Sequence, residues 1–140
     1  MFEELREYFL HNMRDLQTEE IHAWFINSDG ALIHQRMDIA SQRGSAALSP
    51  RDLFRLAYEN QAVALVLAHN HPNGDCTPSW IDEDFTSMIH KYGKDCEAFL
   101  LDHFVVGDGF VYSFAERKFI MLSSEMDEQG MPSGKERKNV

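Results

Sequence analysis

The sequence predicts a mixed α/β (α+β) domain in which helices flank a mixed β-sheet. Segments with helical periodicity alternate along the chain with short segments rich in β-branched and aromatic residues. The apolar run AVALVLA at residues 62–68 is typical of a strand buried on both faces. The 140 residues, 44% of them hydrophobic, are enough for one domain with its own core.

Three helices are predicted, over residues 2–16, 49–60 and 79–92. The first has apolar side chains at helical spacing. The second has the signals of a helix start: Ser49 is a capping residue, Pro50 fits the first helical position, and Asp52 lies near the positive end of the helix dipole. The third follows a polar loop that ends at Pro78.

Six strands are predicted, over residues 21–27, 31–39, 62–68, 98–101, 104–106 and 110–113. Asp29 and Gly30 form a hairpin signal between the first two strands, and Gly107-Asp108-Gly109 predicts the turn between the last two. We therefore expect a single domain over residues 1–122, into which the first helix leads. The polar residues 123–140 are expected to form a disordered tail.

Composition narrows the choice of partners. The net charge of −10 argues against a general nucleic-acid binder, because such proteins usually present a basic stripe; only a local contact around Arg51 and Arg55 stays open. No apolar run reaches the roughly 20 residues that span a bilayer, and the first residues do not have the pattern of a secretion signal. We expect a cytoplasmic protein without a membrane partner, in which Cys76 and Cys96 are free thiols.

A metal site is predicted where the buried strand ends. His69 and His71 are two residues apart, so in extended chain both imidazoles project to the same side. Pro72 favours that extended conformation in the residue before it. Ser79 and Asp82 are three residues apart and share one face at the start of the third helix.

Two imidazoles and a carboxylate make a three-ligand shell of the kind that catalytic zinc uses, with a fourth position for water. Other divalent metals accept the same donors, but one Zn²⁺ per chain is the expected cofactor. Zinc lowers the pKa of a bound water to about 7. A carboxylate is still needed to take and return the proton.

Each part of this pattern also has an ordinary structural interpretation. A His-x-His pair alone is weak evidence, Asp82 alone could be a helix-dipole partner, and Ser79 alone could be a cap. Four further histidines are interpreted as structural or surface residues: His22, His34, His90 and His103. The complete pattern His-x-His-Pro-x-Gly-x4-Ser-x2-Asp is far more specific than its parts.

These residues resemble the JAMM (also JAB or MPN-plus) metalloprotease domain, and more closely the catalytic-type domain of bacterial RadC proteins. Three segments carry the resemblance: SPRDLFRLA at 49–57, LAHNHPNGDCTPSWID at 67–82 and LLDHFVVGDGFVYSFAER at 100–117. The similarity covers roughly residues 19–119. It implies a JAB/MPN architecture, which is cytidine-deaminase-like.

The resemblance also implies roles for single residues. It implies that the zinc ligands are His69, His71 and Asp82. Ser79 matches the family serine that orients the water and helps to stabilise the tetrahedral oxyanion. The family's catalytic glutamate aligns with Glu19, although Glu20 is one residue away and stays open as the alternative, as does a merely solvated position for both.

The chain departs from the RadC pattern at three positions. Ser41 stands where RadC proteins usually have glycine, and Ser49 where they have histidine. Neither lies among the matched ligands, so these differences bear on the substrate rather than on the metal. Cys76 lies in the metal loop, where it is interpreted as an ordinary loop cysteine in preference to an inhibitory fourth ligand.

Three functions are weighed. The leading hypothesis is a zinc metallopeptidase or isopeptidase that hydrolyses a peptide or protein substrate, a ubiquitin-like conjugate included. The second is a DNA repair or recombination protein acting on or near nucleic acid, which the acidic charge and the single ligand set disfavour. The third is a non-catalytic assembly domain stabilised by zinc. The sequence predicts no oligomeric state.

Overall fold

The computed structural model describes residues 2–37 and 49–121. Helices and strands alternate within these ranges, which confirms the predicted mixed α+β class. In chain order they are α1 (Phe2–Met13), β1 (Ile21–Asn27), β2 (Leu32–Arg36), α2 (Pro50–Glu59), β3 (Ala62–Asn70), α3 (Trp80–Cys96), β4 (Phe99–Val106), β5 (Phe110–Ser113) and β6 (Lys118–Met121). The predicted tail, Ser41 and the end of the predicted second strand lie outside the described residues.

The strands form one mixed six-stranded sheet in the order β2-β1-β3-β4-β5-β6. β1 is antiparallel to both of its neighbours, β3 and β4 are parallel, and β4, β5 and β6 form an antiparallel meander. The parallel pair requires a crossover, which α3 supplies. β3 lies inside the sheet, and its last seven residues are all buried. This placement explains why the segment reads as an unbroken apolar run.

Two apolar clusters cover the two faces of the sheet. On one face α1 packs through Leu5, Phe9 and Met13 against even-numbered residues of β3 such as Val66. On the other face α2 and α3 pack against odd-numbered residues of the same strand. Members of this second cluster are Ile21, Ala23, Phe25, Leu53, Ala57, Leu65, Leu67, Ile89 and Ala98. The alternation follows from the two-residue period of a strand, and it assigns each β3 side chain to one face.

The predicted boundaries differ from the structure at several places, among them the end of β3, which continues to Asn70 rather than ending at residue 68. α1 ends at Met13 rather than at residue 16, because the chain turns there and the Leu16 N–H donates to the Met13 carbonyl. α3 continues to Cys96 rather than ending at residue 92. β4 is one strand rather than two, and β6 was not predicted.

No helix within the described ranges is both long enough and apolar enough to cross a membrane. Both cysteines are free thiols, as predicted.

Candidate metal centre

The site lies where the end of β3 meets the start of β1. Ile21 is the register partner of His69 in this antiparallel pair. Continued by one and two residues, the same register brings Glu20 beside Asn70 and Glu19 beside His71. The sheet therefore brings the acidic dipeptide beside the end of β3, although 50 residues separate Glu20 from Asn70.

The three predicted metal ligands meet at one point. The Nε2 atoms of His69 and His71 are 3.3 Å apart. One carboxylate oxygen of Asp82 lies 3.1 Å from Nε2 of His69, and the other lies 3.1 Å from Nε2 of His71. The end of β3 and the first turn of α3 thus supply two nitrogens and one carboxylate to the same small volume.

Glu19 adds a second carboxylate to this volume. Its Oε1 lies 3.9 Å from Nε2 of His69, and its side chain keeps 20% of its surface exposed. Glu19, His69 and His71 form a grouping that could hold a metal ion, since one ligand atom from each lies within 4.8 Å of the others. Of the two carboxylates, that of Asp82 makes the shorter contacts with the imidazoles.

The separations fit a tetrahedral divalent metal. Zinc bonds to nitrogen of 2.0–2.1 Å place neighbouring ligand atoms about 3.3 Å apart. The outer ring nitrogen of His71 donates to the Asp75 carbonyl at 2.8 Å, which leaves Nε2 of the neutral ring with a lone pair facing the site. A lone pair that faces a carboxylate is stable only with a cation between them, either a proton or a metal.

The charge states of the metal-free site follow from this arrangement. The hydrogen bond to Asp82 raises the pKa of His71 against the opposing effect of burial. Burial alone would raise the pKa of Asp82, but its contacts with His69 and His71 outweigh burial and hold this pKa far below its ordinary range. Asp82 is therefore an anion that attracts a cation.

The start of α3 holds Asp82 in place. Ser79 is the N-cap, and its Oγ accepts from the Asp82 N–H at 3.0 Å. In return the Ser79 N–H donates to Oδ2 of Asp82 at 2.8 Å, which completes a capping box. Ser79 can therefore cap the helix while Asp82 serves as a ligand, because the capping geometry turns the Asp82 carboxylate toward the histidines.

Glu20 is engaged on the opposite face of the sheet. Its carboxylate contacts Nε2 of His22 at 2.9 Å and the guanidinium of Arg36 at 3.4 Å. His22 continues the chain of contacts, with its Nδ1 lying 2.7 Å from Nε2 of His34. Of the two acids left open by the sequence, the structure brings Glu19 to the candidate metal centre and Glu20 to this second network.

The sequence analysis did not identify three residues around the site, which are Asn70, His103 and Thr86. Asn70 is 1% exposed, accepts from the Glu20 N–H at 2.7 Å and donates to the Thr18 carbonyl at 3.1 Å. His103 lies 2.8 Å from Nδ1 of His69 and 2.6 Å from the hydroxyl of Thr86. Burial holds the pKa of His103 well below its ordinary value. The interpretation of His103 as a surface residue was wrong, because the residue is buried. Its position within the segment at 100–117 that resembles RadC proteins was the sequence feature that could have indicated a role at the site.

Cys76 belongs to an apolar cluster. It is 5% exposed and packs with Val105, Tyr112 and Phe114. Burial raises the pKa of its thiol, which disfavours the thiolate that a metal would need. Its environment agrees with an ordinary loop cysteine.

Comparisons with known proteins identify similar sequences. The family model described as the RadC-like JAB domain matches residues 1–119. A UPF0758 protein of Vibrio atlanticus is 36% identical over 113 residues, which are 81% of this chain and 50% of that protein. UPF0758 proteins of Geobacillus sp. and Bacillus velezensis are 31% and 32% identical over 114 residues, or 81% of this chain and 50% and 49% of those proteins. The chain spans about half the length of the curated relatives it matches.

Proposed function

The chain belongs to the RadC-like JAB domain family, as its resemblance predicted, and from this premise we propose that it is a zinc-dependent hydrolase of peptide or isopeptide bonds. The proposed zinc ligands are His69, His71 and Asp82. One observation carries the proposal: the Nε2 atoms of both histidines and the Asp82 carboxylate converge with separations of 3.1–3.3 Å, and Glu19 stands beside them.

When bound, zinc would supply Lewis-acid chemistry, acidifying water and polarising the scissile carbonyl. Glu19 is proposed as the general base, which removes a proton from the attacking water and later delivers it to the leaving amine. The Glu19 side chain is partly exposed, so water and substrate can reach it. The Ser79 hydroxyl accepts from the Asp82 N–H, which leaves its own hydrogen free to stabilise the developing oxyanion.

Amide hydrolysis is favoured over phosphodiester cleavage by the number of ligand sets. Two-metal phosphodiester sites hold their ions about 3.5–4 Å apart and need ligands for both. The ranges 2–37 and 49–121 contain one grouping of histidine and acidic side chains with metal-binding spacing. The net charge of −10 also opposes a polyanionic substrate. With its two cysteines free, the proposed setting is the reducing cytoplasm.

Glu19→Gln and Glu20→Gln form a matched pair that tests the proposal. Both zinc-loaded variants and the wild type would be incubated with a panel of peptides and of isopeptide conjugates joined through lysine side chains, with products followed by mass spectrometry. Loss of a general base typically lowers the rate 10²–10⁴-fold. We expect that loss in Glu19→Gln with zinc content unchanged, whereas Glu20→Gln retains turnover.

Three results would contradict the proposal. Full turnover by Glu19→Gln would remove Glu19 from the mechanism. A zinc-loaded wild type that cleaves no amide in the panel, yet unfolds when the metal is chelated, would indicate an assembly domain instead. Tight, salt-sensitive binding to DNA without amide cleavage would favour the nucleic-acid alternative.

A further inference from the structure

A buried chain of hydrogen bonds connects His69 to the backbone of α3. Nδ1 of His69 lies 2.8 Å from Nε2 of His103, on the neighbouring strand β4. Nδ1 of His103 lies 2.6 Å from the hydroxyl of Thr86. That hydroxyl donates to the Asp82 carbonyl at 2.7 Å, one helical turn earlier.

The direction of each bond in this chain follows from its last member. A backbone carbonyl can only accept, so the Thr86 hydroxyl gives its one hydrogen to Asp82. Its oxygen must then accept from Nδ1–H of His103. A neutral His103 protonated at Nδ1 has a lone pair at Nε2, which must accept from Nδ1–H of His69. His69 is left with Nε2 available on the side that faces Asp82.

Burial makes the chain depend on protein groups rather than on water. His103 is 2% exposed and Thr86 is 8% exposed. The His103 ring stacks on Phe114, with centroids 5.0 Å apart and planes 16° from parallel. His71, by contrast, donates to a carbonyl of the partly exposed loop that follows β3, where water could replace the partner. The tautomer of His69 is therefore set by the buried groups of His103 and Thr86.

We propose that Thr86 and His103 are positioning residues that fix His69 in the tautomer with a free Nε2 and so strengthen metal binding. The metal part of this inference rests on the proposed function, because it takes His69 as a ligand. The tautomer part does not, since it follows from hydrogen bonds alone. Partners of this kind typically contribute 10–100-fold to metal affinity.

The test compares Thr86→Val with Thr86→Ser. Valine has nearly the shape of threonine but no hydroxyl, whereas serine keeps the hydroxyl and loses only a methyl group. Nitrogen-15 NMR of the metal-free proteins would report which ring nitrogen of His103 carries the proton. Competition with a chromophoric chelator would give the Kd for Zn²⁺.

In the wild type and Thr86→Ser we expect His103 to be protonated at Nδ1 and zinc affinity to be similar. In Thr86→Val the Nε2-protonated form of His103 should become populated, and the Kd for zinc should rise about 10-fold or more. His103→Phe, which keeps a stacked ring without nitrogens, should weaken zinc binding in the same way; folding of each variant is checked by circular dichroism.

A wild-type His103 protonated at Nε2, or valine and serine variants with the same tautomer and the same Kd, would overturn the positioning role. A wild type that binds no zinc while His103 shows the expected tautomer would overturn the proposed function and leave the tautomer assignment standing. The two failures are therefore distinguishable.

Discussion

Asn70 fixes the backbone on both sides of the proposed base. Its side-chain oxygen accepts from the Glu20 N–H and its amide donates to the Thr18 carbonyl, so the residue between them, Glu19, has both neighbours held. Asn70 is buried, and in the sequence it stands between the two candidate ligands, His69 and His71. One side chain thus couples the end of β3 to the segment that carries Glu19.

Asn70→Ala should reduce both stability and turnover. It leaves the part-buried Glu20 N–H and Thr18 carbonyl without this partner, which costs about 1 kcal/mol of unfolding free energy. Displacing a catalytic group by about 1 Å can cost 10²-fold in rate, so we expect hydrolysis to fall at least 10-fold. Asn12→Ala, which removes an exposed bond to the Tyr8 carbonyl, is the control. Unfolding by urea, zinc content and rate are measured together; an unchanged rate in Asn70→Ala would contradict the role.

Single residues could be predicted where their spacing is local. His69, His71, Ser79 and Asp82 lie within one short stretch whose pattern is specific, and the structure brings the two histidines together with Asp82. The contact between His69 and His103 spans 34 positions and depends on how β3 and β4 align. No local pattern reports such a contact, which is why His103 was interpreted as structural or surface.

At the scale of elements, strand alternation separates Glu19 from Glu20. Ile21 packs on the face that α2 and α3 cover, and residues two apart in extended chain share a face. Glu19 therefore accompanies Ile21, whereas Glu20 accompanies His22 on the face of α1. A register slip of one residue would exchange the two acids. The sequence could not decide between them because the decision depends on the pairing of β1 with β3.

The contact between α1 and the β1–β2 hairpin should depend on pH. His34 lies between Tyr8 of α1, at 3.2 Å, and His22 of β1, at 2.7 Å. Burial, and then the charge of His22, lower the pKa of His34 below 6.5. As the pH falls below 6.5 the unfolded chain takes up a proton before the folded chain does, so this contribution to stability is lost with acidification.

His34→Gln should therefore make the unfolding free energy less dependent on pH between pH 6.5 and 5. Urea unfolding at several pH values measures the slope, and His90→Gln, at an exposed position of α3, is the control. Equal slopes in the two variants would show that His34 is not responsible.

Element boundaries were predictable where capping signals exist. Ser49 caps α2 and Ser79 caps α3, as their sequence contexts indicated. β4 was divided in the prediction because Asp102 and His103 interrupt an apolar run. In the structure the Asp102 carboxylate accepts from Ser113 and from two backbone N–H groups, which allows a polar residue inside the sheet. β6 lies at the sheet edge with mostly exposed side chains, so it lacks a clear alternation.

At the scale of the whole molecule, metal binding should raise the thermal stability of the protein. A ligand that binds only the folded state at 100 times its Kd adds about 2.7 kcal/mol. For a domain of this size that corresponds to a rise in Tm on the order of 10 °C. Differential scanning fluorimetry with increasing Zn²⁺ measures it. Asp82→Asn should keep the helix cap but lose most of this rise in Tm. Asp84→Asn, at an exposed position of α3, should keep the rise, and equal rises in the two variants would contradict the ligand assignment.

The fold class was predictable as a whole because many weak signals agreed. Alternating periodicity predicted the helices and strands, and the apolar run predicted the buried strand β3. Sheet order, which brings β1 between β2 and β3, could not be read from the same signals because it arises from long-range pairing. The resemblance to RadC proteins added the expectation of a JAB/MPN architecture but no strand order.

The most direct measurement is anomalous diffraction at the zinc edge from crystals grown with excess Zn²⁺. We predict one ion per chain, within about 2.0–2.2 Å of Nε2 of His69, Nε2 of His71 and a carboxylate oxygen of Asp82, with Glu19 outside the coordination shell. An ion bound by other groups, or no ion at saturating zinc, would contradict the account.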